Sequence, residues 1–519
     1  MFGFFRSLRH AARLVGIGMT LARHDALFLV EPIAGRMPLL RLVRIMRRRG
    51  IALRPGLRLA AAFQEIGPAF IKLGQMLATR ADLLGEEVAA DLALLQDRLP
   101  PFPANEARAL VEAEFRLPLD SLFQSFADEP VAAASIAQVH FAITNEGREV
   151  AVKILRPGIG RAFARDLELL TWLAQLIERT QPALRRLKPV EIAETLRRSV
   201  EIEMDLRFEA AAASELAENF AGDPGFCMPR VDWRRTGRGV LTTDRIAGVR
   251  IDDRAALITA GHDIPALLQK AAEAFFNQVF RDGFFHADLH PGNMFVKADG
   301  AIAVVDFGIM GRLDRDTRFF LADMLVGFLS GDYHRVAEVH FAAGYVPKGR
   351  SVDEFAQACR SIGEPILGKP LAEISIARLL AQLFRVTEQF EMETQPQLLL
   401  LQKTMVLIEG VGRQLDPKVN IWALARPLIE QWMRDNRGPE AQLRLRFEKL
   451  VEVIDGLPKL IGEFGRLIGR WAEEGAGLRA EGVAARPKRR EPRDFWFIVP
   501  LWLSTAALVA IAVALLLGR

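Results

Sequence analysis

Three polar residues constrain this chain more than any other feature: Asp288, Asn293 and Asp306. The first two stand in His286-Ala-Asp-Leu-His-Pro-Gly-Asn293, and the third opens Asp306-Phe-Gly308 after a short apolar run. Asn293 and Asp306 follow Asp288 by five and eighteen positions. Mg²⁺ prefers such hard oxygen ligands and fills its other positions with waters and phosphate oxygens. The spacing therefore predicts a Mg²⁺-dependent phosphoryl-transfer site on two loops.

The order of these residues is that of a protein-kinase catalytic site. In that layout Asp288 takes the position of the catalytic base, while Asn293 and Asp306 hold the metal. Upstream, Val150-Ala-Val-Lys153 places a lysine late in a predicted strand, where it would contact ATP phosphates. A lysine in a strand is by itself a weak signal of an ATP site. Here the downstream motifs follow in the order of a kinase site, which strengthens the interpretation.

A run of small residues occupies the place of the phosphate-covering loop, just before the predicted β-hairpin. Alanine has less access than glycine to positive φ and leaves less room for phosphate. We therefore predict a stiffer ATP-binding loop, and the alternative is a small-residue segment that packs against a helix. The predicted loop residues are Ala132, Ala133, Ala134, Ser135, Ile136, Ala137, Gln138 and Val139.

Composition restricts the class of protein. A length of 519 residues indicates more than one domain, and 50% hydrophobic with 25% charged residues is typical of a globular chain. The net charge of +4 does not favour nucleic acid as a partner. Cys227 and Cys359 form no paired motif, which favours a reducing compartment.

Periodicity and composition divide the chain into six predicted segments. The segments are a basic amphipathic region at 1–54, a helical extension at 55–128, a β-containing lobe at 129–250, a helical lobe at 251–437, an amphipathic extension with a basic linker at 438–494, and a transmembrane helix at 495–517. For the N-terminal region, an interfacial helix and a helix packed on the body are equally good interpretations.

The segment 495–517 contains no charged residue. As a helix it would span about 35 Å, enough to cross a bilayer core of about 30 Å. Trp496 and Trp502 stand near one end, and the basic run 486–493 precedes it. The positive-inside rule then predicts a single-pass C-terminal anchor with a cytoplasmic catalytic body. A buried C-terminal core helix is the alternative.

Three further motifs are specific, and with them the chain resembles the UbiB family of atypical kinase-like ATPases, which is linked to ubiquinone (coenzyme Q) biosynthesis. The resemblance covers roughly residues 55–435. The motifs are Lys72-Leu-Gly74-Gln75, the alanine-rich run from Ala132 to His140, and Glu203-Met-Asp205 followed by Glu209.

This resemblance implies an α+β, protein-kinase-like bilobal fold with an N-terminal helical extension and a C-terminal transmembrane helix. It implies ATP and Mg²⁺ as cofactors, with Asn293 and Asp306 as metal ligands. Asp288, Lys153 and Lys72 are the implied catalytic residues.

The resemblance also implies two sets of contacts. Lys153 would pair with Glu209. Lys72 and Gln75 would reach from the extension into the site and meet an acidic pair. The members of that pair are Glu203 and Asp205. In the family the extension occludes the groove for a protein substrate, so kinase activity toward other proteins is not expected.

The main functional expectation is a membrane-anchored, Mg²⁺-dependent ATPase that supports ubiquinone biosynthesis at the bacterial inner membrane. Membrane lipid and prenylated quinone precursors are the expected partners, ubiquinone-biosynthesis enzymes are further candidates, and homodimerisation is left open. Two alternatives remain: a small-molecule phosphotransferase of aminoglycoside- or choline-kinase type, and a nucleotide-sensing membrane scaffold.

Overall fold

The computed structural model describes residues 2–29, 53–78, 84–93, 95, 100–180, 188–365, 386, 389–392, 395–419 and 421–437. Contacts divide the chain into two units, Met1–Ile429 and Glu430–Arg519. Of the second unit, the structure describes residues 430–437, which form the C-terminal part of the helix Ile421–Arg437.

The N-terminal extension is helical. Its described helices are α1 (Phe2–Arg23), α2 (Pro55–Ile66), α3 (Pro68–Ala78) and α4 (Glu86–Ala93). Phe63 of α2 and Ile71 of α3 are buried in one hydrophobic core. Ile17 and Leu21 of α1 are buried in the same core. Of the two interpretations of the N-terminal region, the C-terminal half of α1 therefore fits the helix packed on the body.

The next part of the chain forms a lobe around an antiparallel sheet of order β1-β3-β4-β6, with β2 paired to β3. Its elements are α5 (Ala104–Phe115), α6 (Leu119–Leu122), β1 (Phe123–Phe126), β2 (Ala132–Ala133), β3 (Ala137–Thr144), β4 (Glu149–Leu155), α7 (Ile159–Thr180), α8 (Pro189–Glu203), α9 (Leu206–Asn219), β5 (Phe226–Cys227) and β6 (Val240–Asp244). The predicted β-hairpin is the pair of strands β3 and β4.

Two details of this lobe differ from the sequence expectation. Strand β1 falls inside the stretch 55–128, for which the sequence predicts helices; its four residues are too few to show alternation, and pairing with β3 stabilises it. The helical stretch after Val190 breaks into α8 and α9. It breaks because the side chain of Asp205 caps α9, accepting a hydrogen bond from the backbone N–H of Arg207.

Register in the hairpin decides which side chains can reach the site. Val139 pairs with Lys153, and Gln138 pairs with Ile154. Directly paired residues share a face of the sheet, and neighbours along a strand alternate between faces. Lys153 and Val139 therefore lie on one face. Gln138 lies on the other, together with the buried core residue Ile154.

The helical lobe carries both metal-motif loops between short strands. One loop joins β8 to β9 and holds Asp288 and Asn293, and the other joins β10 to β11 and holds Asp306. The elements are β7 (Val249–Arg250), α10 (Arg254–Thr259), α11 (Ile264–Phe276), β8 (Phe284–His286), β9 (Met294–Val296), β10 (Ile302–Val304), β11 (Met310–Arg312), α12 (Arg315–Ser330), α13 (Tyr333–Ala342), α14 (Val352–Gly363), α15 (Pro396–Leu415) and α16 (Ile421–Arg437). Strands β9 and β10 are antiparallel neighbours, which brings the two loops together.

The predicted C-terminal segments, 438–494 and 495–517, lie outside the described residues. Within the part of the chain that the structure describes, none of the helices has the length and apolar character needed to cross a membrane. The C-terminal anchor therefore stays a prediction from the sequence.

Candidate active site

Lys153 lies at the centre of the site. Its ammonium is 2.8 and 3.0 Å from the two carboxylate oxygens of Glu209, which projects from α9. The same nitrogen is 2.8 Å from Oδ1 of Asp306. Strand β4, helix α9 and the loop after β10 thus meet at one charge cluster, which we call the Lys153 cluster: Lys153, Glu209 and Asp306.

Asp306 stands in an uncommon backbone conformation, with a φ of +67°. A residue other than glycine is less stable there by roughly 1–2 kcal/mol, so its surroundings must hold it. The preceding Val305 donates its N–H to the carbonyl of Asn293 at 3.0 Å. The following Phe307 is buried, with its ring centroid 5.6 Å from that of His286. These two neighbours hold the backbone on either side of Asp306, and the contact with Lys153 directs its carboxylate.

Charge and burial shift the pKa values of the three members of the Lys153 cluster in different directions. The charge of Lys153 holds the pKa of Asp306 well below its ordinary value. Burial opposes the charged form of Lys153, but the carboxylates of Asp306 and Glu209 raise its pKa above the ordinary value. Burial raises the pKa of Glu209. Asp306 is thus an ionised carboxylate whose side chain is 50% exposed, which suits the binding of a cation.

His286 shapes the loop that carries Asp288 and is fully buried. Its Nε2 donates to the carbonyl of Val305 at 3.2 Å, and its Nδ1 accepts the N–H of Asp288 at 3.1 Å. Burial lowers the pKa of His286, which fits a neutral ring with one donor and one acceptor. Both ring nitrogens are therefore used by the backbone of the two loops.

Asn293 offers a further oxygen donor, on the loop that adjoins the one carrying Asp306. Its Nδ2 donates to the carbonyl of Asp288 at 3.2 Å, which leaves its amide oxygen as the atom able to bind a cation. Asn293 and Asp306 lie on adjoining loops and offer one amide and one carboxylate oxygen, the donor types that Mg²⁺ prefers. Among the described residues, no group of three or more His, Cys, Asp or Glu side chains could hold a metal ion.

A lysine that the sequence reasoning missed contacts Asp288. Nζ of Lys403, on α15, lies 2.8 Å from Oδ1 of Asp288. His290 is more distant, with its Nε2 4.0 Å from Oδ2 of Asp288. Lys403 is the first charged residue of α15, in the run PQLLLLQKTMVLI. A single charge in this apolar run was the signal that could have found it.

Lys72 does not touch the Lys153 cluster in this structure. Its ammonium donates to Oε1 of Glu203, and the two side chains are only 15% and 13% exposed. This ion pair joins α3 of the extension to the end of α8. The expected contact with Asp205 is not formed, because Asp205 caps α9 and pairs with Arg207 at 2.6 Å. The hydrogen bonds of the described residues do not link Gln75 to either acidic residue.

Gly74 explains why the extension motif carries a glycine. A Cβ at this position would lie 2.5 Å from Cδ1 of Leu95 and 2.8 Å from Cδ2 of Phe63. Both distances are far below ordinary contact, and Phe63 is buried. The glycine therefore lets α3 pack closely enough to present Lys72 to Glu203.

The alanine-rich segment is a tight turn held by an arginine. Ala134 donates its N–H to the carbonyl of Ala137 at 2.8 Å, and Arg156 donates to the carbonyl of Ala134 at 2.9 Å and, through its backbone N–H, to that of Ile136 at 2.8 Å. All residues from 132 to 139 keep a negative φ, so the turn does not require glycine. Ser135 is buried. The segment leads directly into the strand that pairs with the one carrying Lys153.

Gln138 has a structural contact of its own. Its Oε1 accepts the N–H of Phe102 at 2.9 Å, and its Nε2 donates to the carbonyl of Phe102 and to Nε2 of His140. Its side chain lies on the face opposite Lys153. Contact with a nucleotide on the Lys153 face would therefore come from the backbone of Gln138 and not from its amide.

Comparisons with known proteins agree with this architecture. The ABC1 atypical kinase-like domain matches residues 94–340, and the UbiB helical domain matches residues 359–420. A protein of Marinobacter nauticus named "Probable protein kinase UbiB" is 43% identical over 409 residues, which cover 78% of this chain and 75% of that protein. The chain belongs to the UbiB family.

Further relatives of this UbiB-family protein extend the match. A Pseudomonas entomophila protein of the same name is 42% identical over 457 residues, 87% of this chain and 83% of its own. The solved structure described as the complex of Rv3197 with erythromycin from Mycobacterium tuberculosis has a TM-score of 0.51 and 28% identity, over 72% of this chain and 95% of that one.

Residues of the site fall in both matched regions. The Lys153 cluster, Asp288 and Asn293 lie within the atypical kinase-like match, and Lys403 lies within the UbiB helical match. Lys72 precedes both matches. The Asp288–Lys403 ion pair thus joins the kinase-like part of the site to the family's own helical part.

Proposed function

We propose that this UbiB-family chain is a Mg²⁺-dependent ATPase with an atypical kinase-like site. The observation that carries the proposal is the convergence of Lys153, Asp306 and Asn293 on adjoining elements, in the order that phosphoryl-transfer sites use. Asp306 and Asn293 would hold the metal, and Lys153 would bind the phosphates. Mg²⁺, when bound, neutralises phosphate charge and orients the γ-phosphate.

Hydrolysis fits the site better than transfer to a protein. The extension is attached to α8 by the Lys72–Glu203 pair and to α7 by Arg13, whose guanidinium is 3.3 Å from Asp166. In this proposal the extension excludes a bulky acceptor, and Asp288 orients a water molecule. The sequence resemblance supports this arrangement.

The proposed setting is the cytoplasmic face of a bacterial inner membrane. The uncharged run 495–517 would be a single-pass anchor, and the basic run 486–493 would meet anionic lipid. ATP hydrolysis would support ubiquinone biosynthesis by acting on prenylated quinone precursors in the membrane or on the enzymes that modify them. This coupling rests on family membership.

The test combines turnover with complementation. The full-length protein in vesicles should hydrolyse ATP only with Mg²⁺, and Asp306→Asn should abolish turnover. In a bacterial strain without its own UbiB, the wild type should restore ubiquinone, whereas Asp306→Asn and Lys72→Ala should not. Normal quinone content with Asp306→Asn would show that the pathway does not need the ATP site.

A second readout separates the alternatives. A phosphorylated small molecule formed from cell metabolites by the purified protein would identify a phosphotransferase instead. Nucleotide binding without measurable turnover, combined with quinone rescue, would identify a nucleotide-sensing scaffold.

A further inference from the structure

Lys403 lies beside Asp288 and is not among the residues assigned to the metal or to the phosphates. Its ammonium contacts one oxygen of Asp288 at 2.8 Å. The two side chains are 38% and 26% exposed, so the pair lies at the edge of the site and not in the core. An ammonium has three donors, and one of them is directed at the residue in the catalytic-base position.

Helix α15 holds Lys403 firmly. Its buried face packs on the helical lobe, and its C-terminal carbonyl at Leu415 accepts a hydrogen bond from Arg254 at 2.8 Å. The side chain of Gln414 also donates to the carbonyl of Asp252 at 3.2 Å. The buried residues along this face are Leu401, Thr404, Ile408, Val411 and Leu415. Lys403 therefore projects from an anchored helix, one residue from the buried Thr404.

The contact changes what Asp288 can do. A free carboxylate offers two oxygens that can accept hydrogen bonds, and it can rotate to use either one. With Oδ1 accepting from Lys403, rotation of the carboxylate is restricted and Oδ2 remains to accept a hydrogen bond from a water molecule. A single oriented oxygen is suited to one water molecule, because general-base catalysis depends on the position of the accepting atom.

We propose that Lys403 is a positioning residue: it holds Oδ1 of Asp288 so that Oδ2 orients the water that attacks the γ-phosphate. This inference rests on the proposed ATPase function. In the step, the water oxygen bonds to the γ-phosphorus and the bond from that phosphorus to the β–γ bridging oxygen breaks. ADP leaves with the electron pair, and the water proton passes through Oδ2 to the phosphate product.

The experiment compares three substitutions in the full-length protein. Lys403→Ala and Lys403→Met should lower kcat for ATP hydrolysis by about tenfold or more, within the range that a positioned general base contributes. KM for ATP should stay within about threefold, because Lys403 is not assigned to nucleotide binding. Lys403→Arg should recover part of kcat, since a cation returns to the same helix position.

A matched control keeps this test specific. Lys418 follows α15, is exposed, and forms no ion pair with a described residue, so Lys418→Ala should leave kcat and KM unchanged. Wild-type turnover in Lys403→Ala would overturn the proposal. Faster turnover would overturn it too, because the contact would then be autoinhibitory.

A readout without turnover separates this proposal from the proposed function. Hydrogen–deuterium exchange of the nucleotide-free protein should show faster uptake at 286–293 in Lys403→Ala, and unchanged uptake in strand β4. Absence of ATP hydrolysis in the wild type would defeat the ATPase proposal. Unchanged uptake at 286–293 would defeat the role of Lys403.

Discussion

The ammonium of Lys153 lies 2.8 Å from Oδ1 of Asp306 and joins the sheet of one lobe to the metal-motif loop of the other. The same ammonium neutralises Glu209, whose side chain is only 9% exposed. Lys153 therefore has two separable roles: it directs Asp306 at the site, and it compensates a buried carboxylate.

These two roles lead to a prediction that separates stability from activity. Lys153→Met should abolish ATP turnover and lower the free energy of unfolding by about 3 kcal/mol, because a buried carboxylate loses its partner. The double variant Lys153→Met with Glu209→Gln should regain much of that stability, since the uncompensated charge is removed. It should remain inactive.

Chemical denaturation and ATP turnover of both variants check this prediction. Lys418→Ala is the control for the loss of a lysine in a place without an ion pair to the described residues. If the double variant is as unstable as Lys153→Met, the destabilisation does not come from the unpaired carboxylate.

Much of the site could be predicted because most of its residues stand in short sequence motifs. The interval between Asp288 and Asn293 lies within one loop, and the Asp306 loop follows a neighbouring strand, so their order along the chain was enough to predict their proximity. The resemblance to a family then implied the pairs Lys153–Glu209 and Lys72–Glu203, which the structure contains.

Long-range contacts without a motif could not be predicted in this way. Lys403 is 115 positions from Asp288, and only the packing of α15 on the helical lobe brings them together. Strand β1 is similar, because its four residues become a strand by pairing with β3 and have no periodicity of their own. The capping role of Asp205 depends on where α9 begins, which periodicity locates only within a few residues.

The packing around Gly74 gives a prediction about the extension. Gly74→Ala should lower the free energy of unfolding by about 1–3 kcal/mol, because the added methyl would overlap Phe63 and Leu95. Gly410→Ala is the matched control: this glycine also lies inside a helix, but among the described residues beyond its own stretch of helix no heavy atom lies within 4 Å of the place that an added methyl group would take. The free energy of unfolding of Gly410→Ala should rise by up to about 1 kcal/mol, because alanine has a higher helix propensity than glycine.

Urea denaturation of the two variants, followed by circular dichroism, measures the difference. Gly74→Ala should also weaken the docking of Lys72, which limited proteolysis within 53–78 would report. Equal stability of the two alanine variants would mean that the extension adjusts to the extra methyl group.

The hairpin turn gives a prediction about pH. Both carboxylate oxygens of Glu146 accept hydrogen bonds from Arg235, at 2.9 and 2.8 Å. This contact lowers the pKa of Glu146 from 4.5 to about 2. The lower folded-state pKa means that the contribution of ionised Glu146 is complete above about pH 4.5 and is lost as the pH falls toward 2.

Glu146→Gln should therefore lower Tm at pH 7, and the difference from wild type should narrow as the pH falls from 4.5 toward 2. Thermal unfolding at pH 7, 5, 4 and 3 measures this trend. Glu129→Gln, at an exposed glutamate without an ion pair to a described residue, should give a small difference at every pH. A Tm difference between Glu146→Gln and wild type that is constant with pH would contradict a lowered pKa of Glu146 in the folded protein.

The ion pair between Lys72 and Glu203 gives the last prediction, on how the extension is attached. Either single substitution, Lys72→Met or Glu203→Gln, leaves the other charge partly buried without this partner. Each should lower the free energy of unfolding by about 1–3 kcal/mol. The double variant should lose less free energy of unfolding than the sum of the losses in the two single variants. The difference, the coupling energy, should be about 1 kcal/mol or more because the residues are in direct contact. Chemical denaturation of the four proteins in one double-mutant cycle gives this energy, and strictly additive effects would mean that the pair does not hold α3 against α8.

Exchange of the two residues, Lys72→Glu with Glu203→Lys, should keep the extension protected from proteolysis, because the ion pair is retained with its charges reversed. ATP turnover of this variant then reports whether the lysine must stand on α3.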